Sequence, residues 1–165
     1  MKTRTQLILK RVVYSLFSAA WLCFIFSNSL RSRGASAQQS KPMESWFSNF
    51  LRALGFSGDA ARVSEIVVRK SAHIFEFTVL FLLLALLIGA FTRSRKRVVL
   101  ISAAACFVSA VCDELLQIVS KRGASFRDVL IDSAGTAAGA LLYMLFSRLR
   151  RNSCSGKTEK AAEKQ

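Results

Sequence analysis

Residues 66–91 read IVVRKSAHIFEFTVLFLLLALLIGAF. The stretch is long enough to cross roughly 30 Å of hydrocarbon as a helix. Its first half carries Arg69, Lys70, His73 and Glu76, whereas the residues after Thr78 are apolar up to Phe91. That asymmetry describes a membrane span with an ionisable end. Three further apolar runs have comparable length, about Val12 to Leu30, Val98 to Val119 and Val129 to Ser147.

Composition agrees with the spans. The chain has 165 residues, is 52% hydrophobic, and carries 24 Lys+Arg against 10 Asp+Glu, the signature of a small basic membrane protein. A soluble nucleic-acid binder would not carry so much apolar sequence, so no nucleic-acid partner is expected. The expected fold is all-α: an integral membrane bundle of four transmembrane helices with an amphipathic interfacial helix in the first outer loop. Pro42, the single proline, lies outside every run, so uninterrupted helices can satisfy their backbone groups without water. The expected organisation is a basic flank over 1–11, the transmembrane domain over 12–147, and a disordered basic tail over 148–165 whose polar sequence shows no apolar periodicity.

Basic residues set the expected topology, because Lys and Arg concentrate on the cytoplasmic side. The N-terminal flank, the compact Arg93-Ser94-Arg95-Lys96-Arg97 loop and the tail hold 14 of the 24. Both termini are therefore expected inside a bacterial cytoplasmic membrane, with the first and third loops outside. The basic start, apolar run and Ala35-Ser36-Ala37 imitate a cleavable secretory signal. The length of the run and the interrupting Arg31 and Arg33 argue for a retained first helix. In the first loop, Met43, Trp46, Phe47, Phe50, Leu51 and Leu54 recur at helical spacing, with Gly55 as the stop. Such a helix can act as a lid over the bundle or as an interfacial anchor, and its Trp/Phe face favours the anchor. Cys23, Cys106 and Cys112 lie within spans without metal-site or disulfide spacing, and packing is the role expected of them.

The informative residues are polar ones placed in hydrocarbon at a cost. Arg69, His73 and Glu76 share one helical face, with Lys70 beside them; Asp113 and Gln117 share another, and Glu114 also meets Gln117 at i+3. Asp128 and Asp132 continue into Gly135 and Gly139, a small-residue stripe that lets a neighbouring helix approach closely. The first span ends in Ser27, Asn28 and Ser29. Counting from the basic residue at the other end of each span, Asn28, Glu76, Glu114, Asp113 and Asp132 are 16 or 17 residues away, a rise of about 24 to 26 Å. His73, Gln117 and Asp128 are each 20 residues away, about 30 Å.

Ionisable groups at shared depth should face the bundle interior and find partners there. They predict an outward-facing polar pocket. His73, Glu76, Asp113 and Glu114 are its candidate acid and base groups. Arg69, Lys70, Gln117, Arg122, Arg127, Asp128, Asp132 and Asn28 are its candidate ligand-binding groups, the basic ones suited to phosphate or carboxylate. Gly135 and Gly139 are the packing residues. A metal site of carboxylate oxygens is conceivable, but no ligand spacing marks one, so neither a metal nor a cofactor is expected. Besides the bilayer, the expected partner is a lipid headgroup, a lipid-linked precursor or a lipoglycopeptide; no feature sets an oligomeric state.

Taken in order, Arg69-Lys70-Ser71-Ala72-His73-Ile74-Phe75-Glu76-Phe77, Asp113-Glu114-Leu115-Leu116-Gln117, Arg122, and Asp128-Val129-Leu130-Ile131-Asp132 with Gly135 resemble the VanZ-like family of bacterial membrane proteins. The resemblance extends over about Val12 to Phe146. Phe77 stands where the family often has tyrosine, Asp132 where asparagine is frequent, and the stretch before Arg122 lacks the common proline. The resemblance implies a multi-helix envelope protein whose founding member is linked to low-level resistance to lipid-tailed glycopeptides, especially teicoplanin. It carries no settled reaction. Two functions follow as expectations: binding or altering an outer-leaflet amphiphile so as to change teicoplanin sensitivity, or acid–base enzymology on a lipid or lipid-linked substrate. Proton-coupled transport fits less well, because the inner half of each span is apolar.

Overall fold

A computed structural model describes residues 2–31, 33–120 and 126–162. It contains α1 (Lys2–Leu30), α2 (Arg33–Ala53), α3 (Ala60–Gly89), α4 (Arg95–Val119) and α5 (Phe126–Ala162), with no strand among the described residues. Helices α1, α3 and α4 and the Phe126–Arg150 part of α5 are long and apolar enough to cross a membrane. The chain is a multi-pass helical membrane protein.

The start of α3 and the stop of α2 have local reasons. Asp59 caps α3 by accepting from the Arg62 backbone N–H at 3.1 Å, meeting one of the donors that a helix start leaves open. Helix α2 closes at Gly55, whose φ of +84° favours glycine. There Gly55 N–H donates to Arg52 O and Phe56 N–H to Leu51 O, the paired bonds of a Schellman stop. The stop falls where the sequence predicts it. The helix starts earlier than the predicted Met43, however, running back through Pro42 to Arg33. Proline costs one helical hydrogen bond and tolerates only certain neighbours; around it Ser40 donates to the Ser36 and Ala37 carbonyls and bonds Glu44. Helix α5 continues past Ser147 to Ala162, through much of the stretch where disorder is expected from composition. A span that has already nucleated a helix extends it at one hydrogen bond per added residue.

Helix α3 is the axis of the bundle, packing against each of the other four helices, most extensively α5. Glycine makes the α3–α5 contact close. A Cβ at Gly135 would lie 2.5 Å from the Ile74 carbonyl oxygen, and one at Gly139 2.9 Å from that of Thr78. Thr78 Oγ1–H bridges the two backbones, donating to Ile74 O at 2.7 Å and Gly135 O at 2.9 Å. Ile25, Phe77, Leu80, Phe81, Ala85, Val98, Cys106 and Ala110 fill the interior. Phe77 is fully buried in that apolar core, a place where a phenyl ring needs no polar partner. Cys106 packs there too, while Cys23 and Cys112 are exposed, so only the first of these three has the interior packing role expected. Leu16, Phe17, Leu100, Phe107, Val108 and Leu141 point outward with large exposed areas. Water would penalise such a surface, whereas lipid tails are as apolar as the side chains.

Candidate functional site

The polar residues of four separate helices meet at one end of the bundle. From α1, Asn28 Nδ2–H donates to Glu76 Oε1 of α3 at 3.0 Å, and Ser29 Oγ–H donates to Asp113 Oδ1 of α4. His73 Nδ1 lies 3.1 Å from Asp132 Oδ1 of α5, a spacing at which the ring N–H donates to the carboxylate. Gln117 Nε2 donates to Asp113 Oδ2 at 3.1 Å and to Glu114 Oε1 at 3.2 Å. Asn28 and Glu76, counted to the same depth, are joined side chain to side chain, whereas His73–Asp132 and Gln117–Asp113 each join one counted level to the other.

Burial decides which acids face inward. Asp113 and Asp132 are 0% exposed, Glu114 5% and Gln117 1%. Both acids of the Asp113-Glu114 pair therefore face the interior. Gln117 enables this by bonding one at i−4 and the other at i−3, positions that share its side of the helix. Two acceptors in this interior have no hydrogen-bond partner, Asp132 Oδ2 and Gln117 Oε1. An unmet buried acceptor costs about 1–3 kcal/mol.

Two cavities border the cluster. The larger, about 590 Å³, opens between α1, α2 and α3, within the usual 300–1,000 Å³ of small-molecule sites. Trp21, Phe24 and Phe75 form its aromatic wall, Asn28, His73 and Glu76 its polar floor, and Arg31 and Arg69 contribute cations. Ser36, Gln39, Ser40 and Glu44 of α2 close one side. The smaller, about 130 Å³, lies between α3 and α5 and is bounded by Arg69, Lys70, His73 and Asp128. His73 and Arg69 belong to both walls.

The other predicted residues are distributed differently. Arg69, Lys70 and Arg127 are exposed, and none forms an ion pair with an acid among the described residues, so these cations rim the acidic cluster and do not interleave with it. Arg127 lines neither cavity, and Gln117 and Asp132 sit behind the cavity walls. Arg122 lies outside the described residues. Gly135 and Gly139 lie at the α3–α5 contact.

One participant carries no polar signal in the sequence, and another lies at the end of its span. Trp21 reads as one more apolar residue of the first span, yet its Nε1–H donates to the Glu76 backbone oxygen at 2.9 Å and its ring meets Phe24 and Phe75. Its position seven residues before Asn28 is the available clue, since i and i+7 share a helix face. Ser120 Oγ–H donates to Ser29 O at 3.0 Å, tying the ends of α4 and α1 together.

The family model described as VanZ/LLP1 matches residues 13–147. The chain belongs to the VanZ/LLP1 family. The matched region contains every residue of the hydrogen-bonded cluster. Comparison with curated proteins and with solved structures finds no match to either. What this VanZ/LLP1 protein does must therefore be argued from its own cavities and cluster.

Proposed function

We propose that this VanZ/LLP1-family protein holds the headgroup of an outer-leaflet amphiphile in its larger cavity, binding or altering it, and so changes how a lipid-tailed glycopeptide such as teicoplanin engages the envelope. The carrying observation is the cavity's construction. A polar floor of Asn28, His73 and Glu76 stands beside a wall of Trp21, Phe24 and Phe75, with Arg31 and Arg69 on its lining. That is the division of surface an amphiphile requires: cations and hydrogen-bonding groups for a charged head, aromatic rings for the start of a chain. In this reading both termini are cytoplasmic and the cavity opens outward. Helix α2 serves in two ways, its polar first half walling the cavity and Met43, Trp46, Phe50 and Leu54, all exposed, resting in the headgroup boundary.

Deleting the gene, or replacing it with Glu76→Gln expressed at normal level, shifts teicoplanin sensitivity by more than vancomycin sensitivity, because the lipid tail distinguishes the two drugs. Sensitivities to both drugs that stay at wild-type values in the deletion and Glu76→Gln strains would remove the reading. Labelling of single cysteines placed in the two outer loops of intact cells checks the orientation, and protection from an impermeant reagent at both sites reverses it.

One observation favours enzymology as a second reading. Asp132 holds Nδ1 of His73 while the ring lines the cavity, an arrangement that orients an imidazole for proton transfer through its other nitrogen. Glu76, Asp113 or Glu114 would supply the partner group and the arginines would hold phosphate. Lipid extracts from deletion and His73→Ala strains then accumulate the same species; extracts identical to wild type, with no turnover by purified protein, dismiss catalysis.

A further inference from the structure

We propose that His73, Asp113, Asp132 and Gln117 form a binding site for a single divalent transition-metal cation of the Zn²⁺/Mn²⁺ class. A ring nitrogen of His73, an oxygen of Asp113 and an oxygen of Asp132 lie within 4.8 Å of one another. They come from α3, α4 and α5, far apart in sequence, which is why no motif announces them.

Two acceptor atoms point to the missing partner independently of that clustering. Asp132 is 0% exposed and its Oδ2 bonds to nothing. Gln117 is 1% exposed, and its Oε1 is likewise unpartnered although its Nε2 is fixed between Asp113 and Glu114. The amide cannot be turned round, because its oxygen would then face two carboxylates. A group that meets either atom must be an electron-pair acceptor or a donor of protons. Water would supply two hydrogens but no charge, and the two fully buried carboxylates of Asp113 and Asp132 have no Lys or Arg paired with them among the described residues. A dication coordinated by neutral imidazole and two carboxylates closes the charge and the valences together.

The surroundings suit such a site. Ser29 and Gln117 each hold one oxygen of Asp113, the outer-shell orientation that metal-ligating carboxylates ordinarily have. Ligands at about 2.0–2.2 Å from a common ion can stand no more than about 4.4 Å apart, and three atoms that already lie within 4.8 Å of one another can converge on one ion. One nitrogen, carboxylate and amide oxygens and no thiolate favour Zn²⁺ or Mn²⁺ over Ca²⁺. The side chain of His73 is 20% exposed and lines both cavities, providing the entry path. The site needs neither cavity to be occupied, so it stands or falls apart from the amphiphile reading.

The chain's single histidine makes the test specific. The full chain, purified through a histidine-free tag into nanodiscs and stripped by a chelator, is titrated with MnCl₂ and examined by pulsed electron paramagnetic resonance. The expected result is one Mn²⁺ per chain, displaced by Zn²⁺, with imidazole nitrogen modulation that His73→Gln abolishes. Asp132→Asn and Gln117→Leu should each weaken binding at least about tenfold. Absence of stoichiometric Mn²⁺, bound Mn²⁺ without nitrogen modulation, or modulation that persists in His73→Gln overturns the proposal. The wild-type spectrum decides alone if Asp132→Asn does not fold.

Discussion

At one end of the bundle, helices meet through side chains: Ser29 to Asp113, Asn28 to Glu76, His73 to Asp132. At the other end they meet through a cation and a backbone carbonyl. Arg11 Nε–H donates to Ala90 O at 3.1 Å while its guanidinium covers the Phe91 ring at 4.3 Å, and Arg95 donates to Ser147 O at 3.1 Å. The second solution is the economical one. It serves the Ala90 carbonyl that the end of α3 leaves open and a second carbonyl on the flank of α5, and it keeps each cation near the interface, where arginine can snorkel. The first places carboxylates where they are desolvated and can be expensive to hold. Helices that close by capping and apolar packing at one end do not need an acidic cluster to close at the other. The cluster is therefore the part of the bundle on which the two proposals rest.

The largest test of this comparison falls on the α3–α5 contact beside the cluster. Gly135→Val places a side chain against the Ile74 carbonyl, 2.5 Å from even a bare Cβ, and backbone cannot yield as a flexible side chain does. Overpacking costs about 1–3 kcal/mol and sometimes more; here the upper end or outright loss of folded protein is expected in thermal unfolding in detergent. Gly89→Ala, at the other end with nothing within 4 Å, should change stability by no more than about 1 kcal/mol. Similar melting of the two variants would mean that the helices do not approach as described.

Buried polar groups give the next contrast. Asp113→Ala strips Ser29 and Gln117 of an acceptor inside the bundle, and each unmet donor costs about 1–3 kcal/mol. Ser102 is equally buried, toward the arginine-capped end, but its hydroxyl has no partner. Ser102→Ala should leave stability unchanged or raise it. Chemical unfolding of the two variants side by side measures the difference, and equal losses would erase the distinction between the ends.

Much of this was legible along the chain because the governing patterns are local. Apolar run length predicts the spans, and counting residues predicts the common level of Asn28, Glu76, Asp113 and Asp132. Counting yields height, not azimuth, so the pairing of His73 with Asp132 and of Ser29 with Asp113 had to await the packing of α3, α4 and α5. Trp21 was hidden because an indole among apolar residues looks like core until its N–H has somewhere to point. The first half of α2 was hidden because Arg33 to Lys41 is polar and precedes a proline, which in an isolated segment opposes helix; the bonds of Ser40 to Ser36, Ala37 and Glu44 offset that preference.

A smaller effect attends Trp21→Phe. The ring and its contacts are largely kept, while the hydrogen bond to Glu76 O is lost, and that carbonyl retains its place in the helical ladder. Hydrogen bonds between membrane helices contribute about 0.6 kcal/mol on average and about 1.7 at most. A loss in this range, together with weaker retention of an amphiphile by the purified protein, would show that the indole both ties α1 to α3 and shapes the cavity.

The smallest effect belongs to the opposite end. Arg11→Met keeps an aliphatic stem against Phe91 but removes the charge and the bond to Ala90 O. A cation over an aromatic face at a partly exposed site is worth about 0.5–1 kcal/mol. The Ala90 carbonyl sits beyond the last helical residue Gly89, where water can replace a lost donor. The variant should therefore melt within about 1 kcal/mol of wild type and bind Mn²⁺ with unchanged affinity, because nothing at that end reaches His73, Asp113 or Asp132. A larger loss than that of Asp113→Ala would mean that the arginine end, not the acidic end, carries the energetic strain of the bundle, and would reverse the comparison.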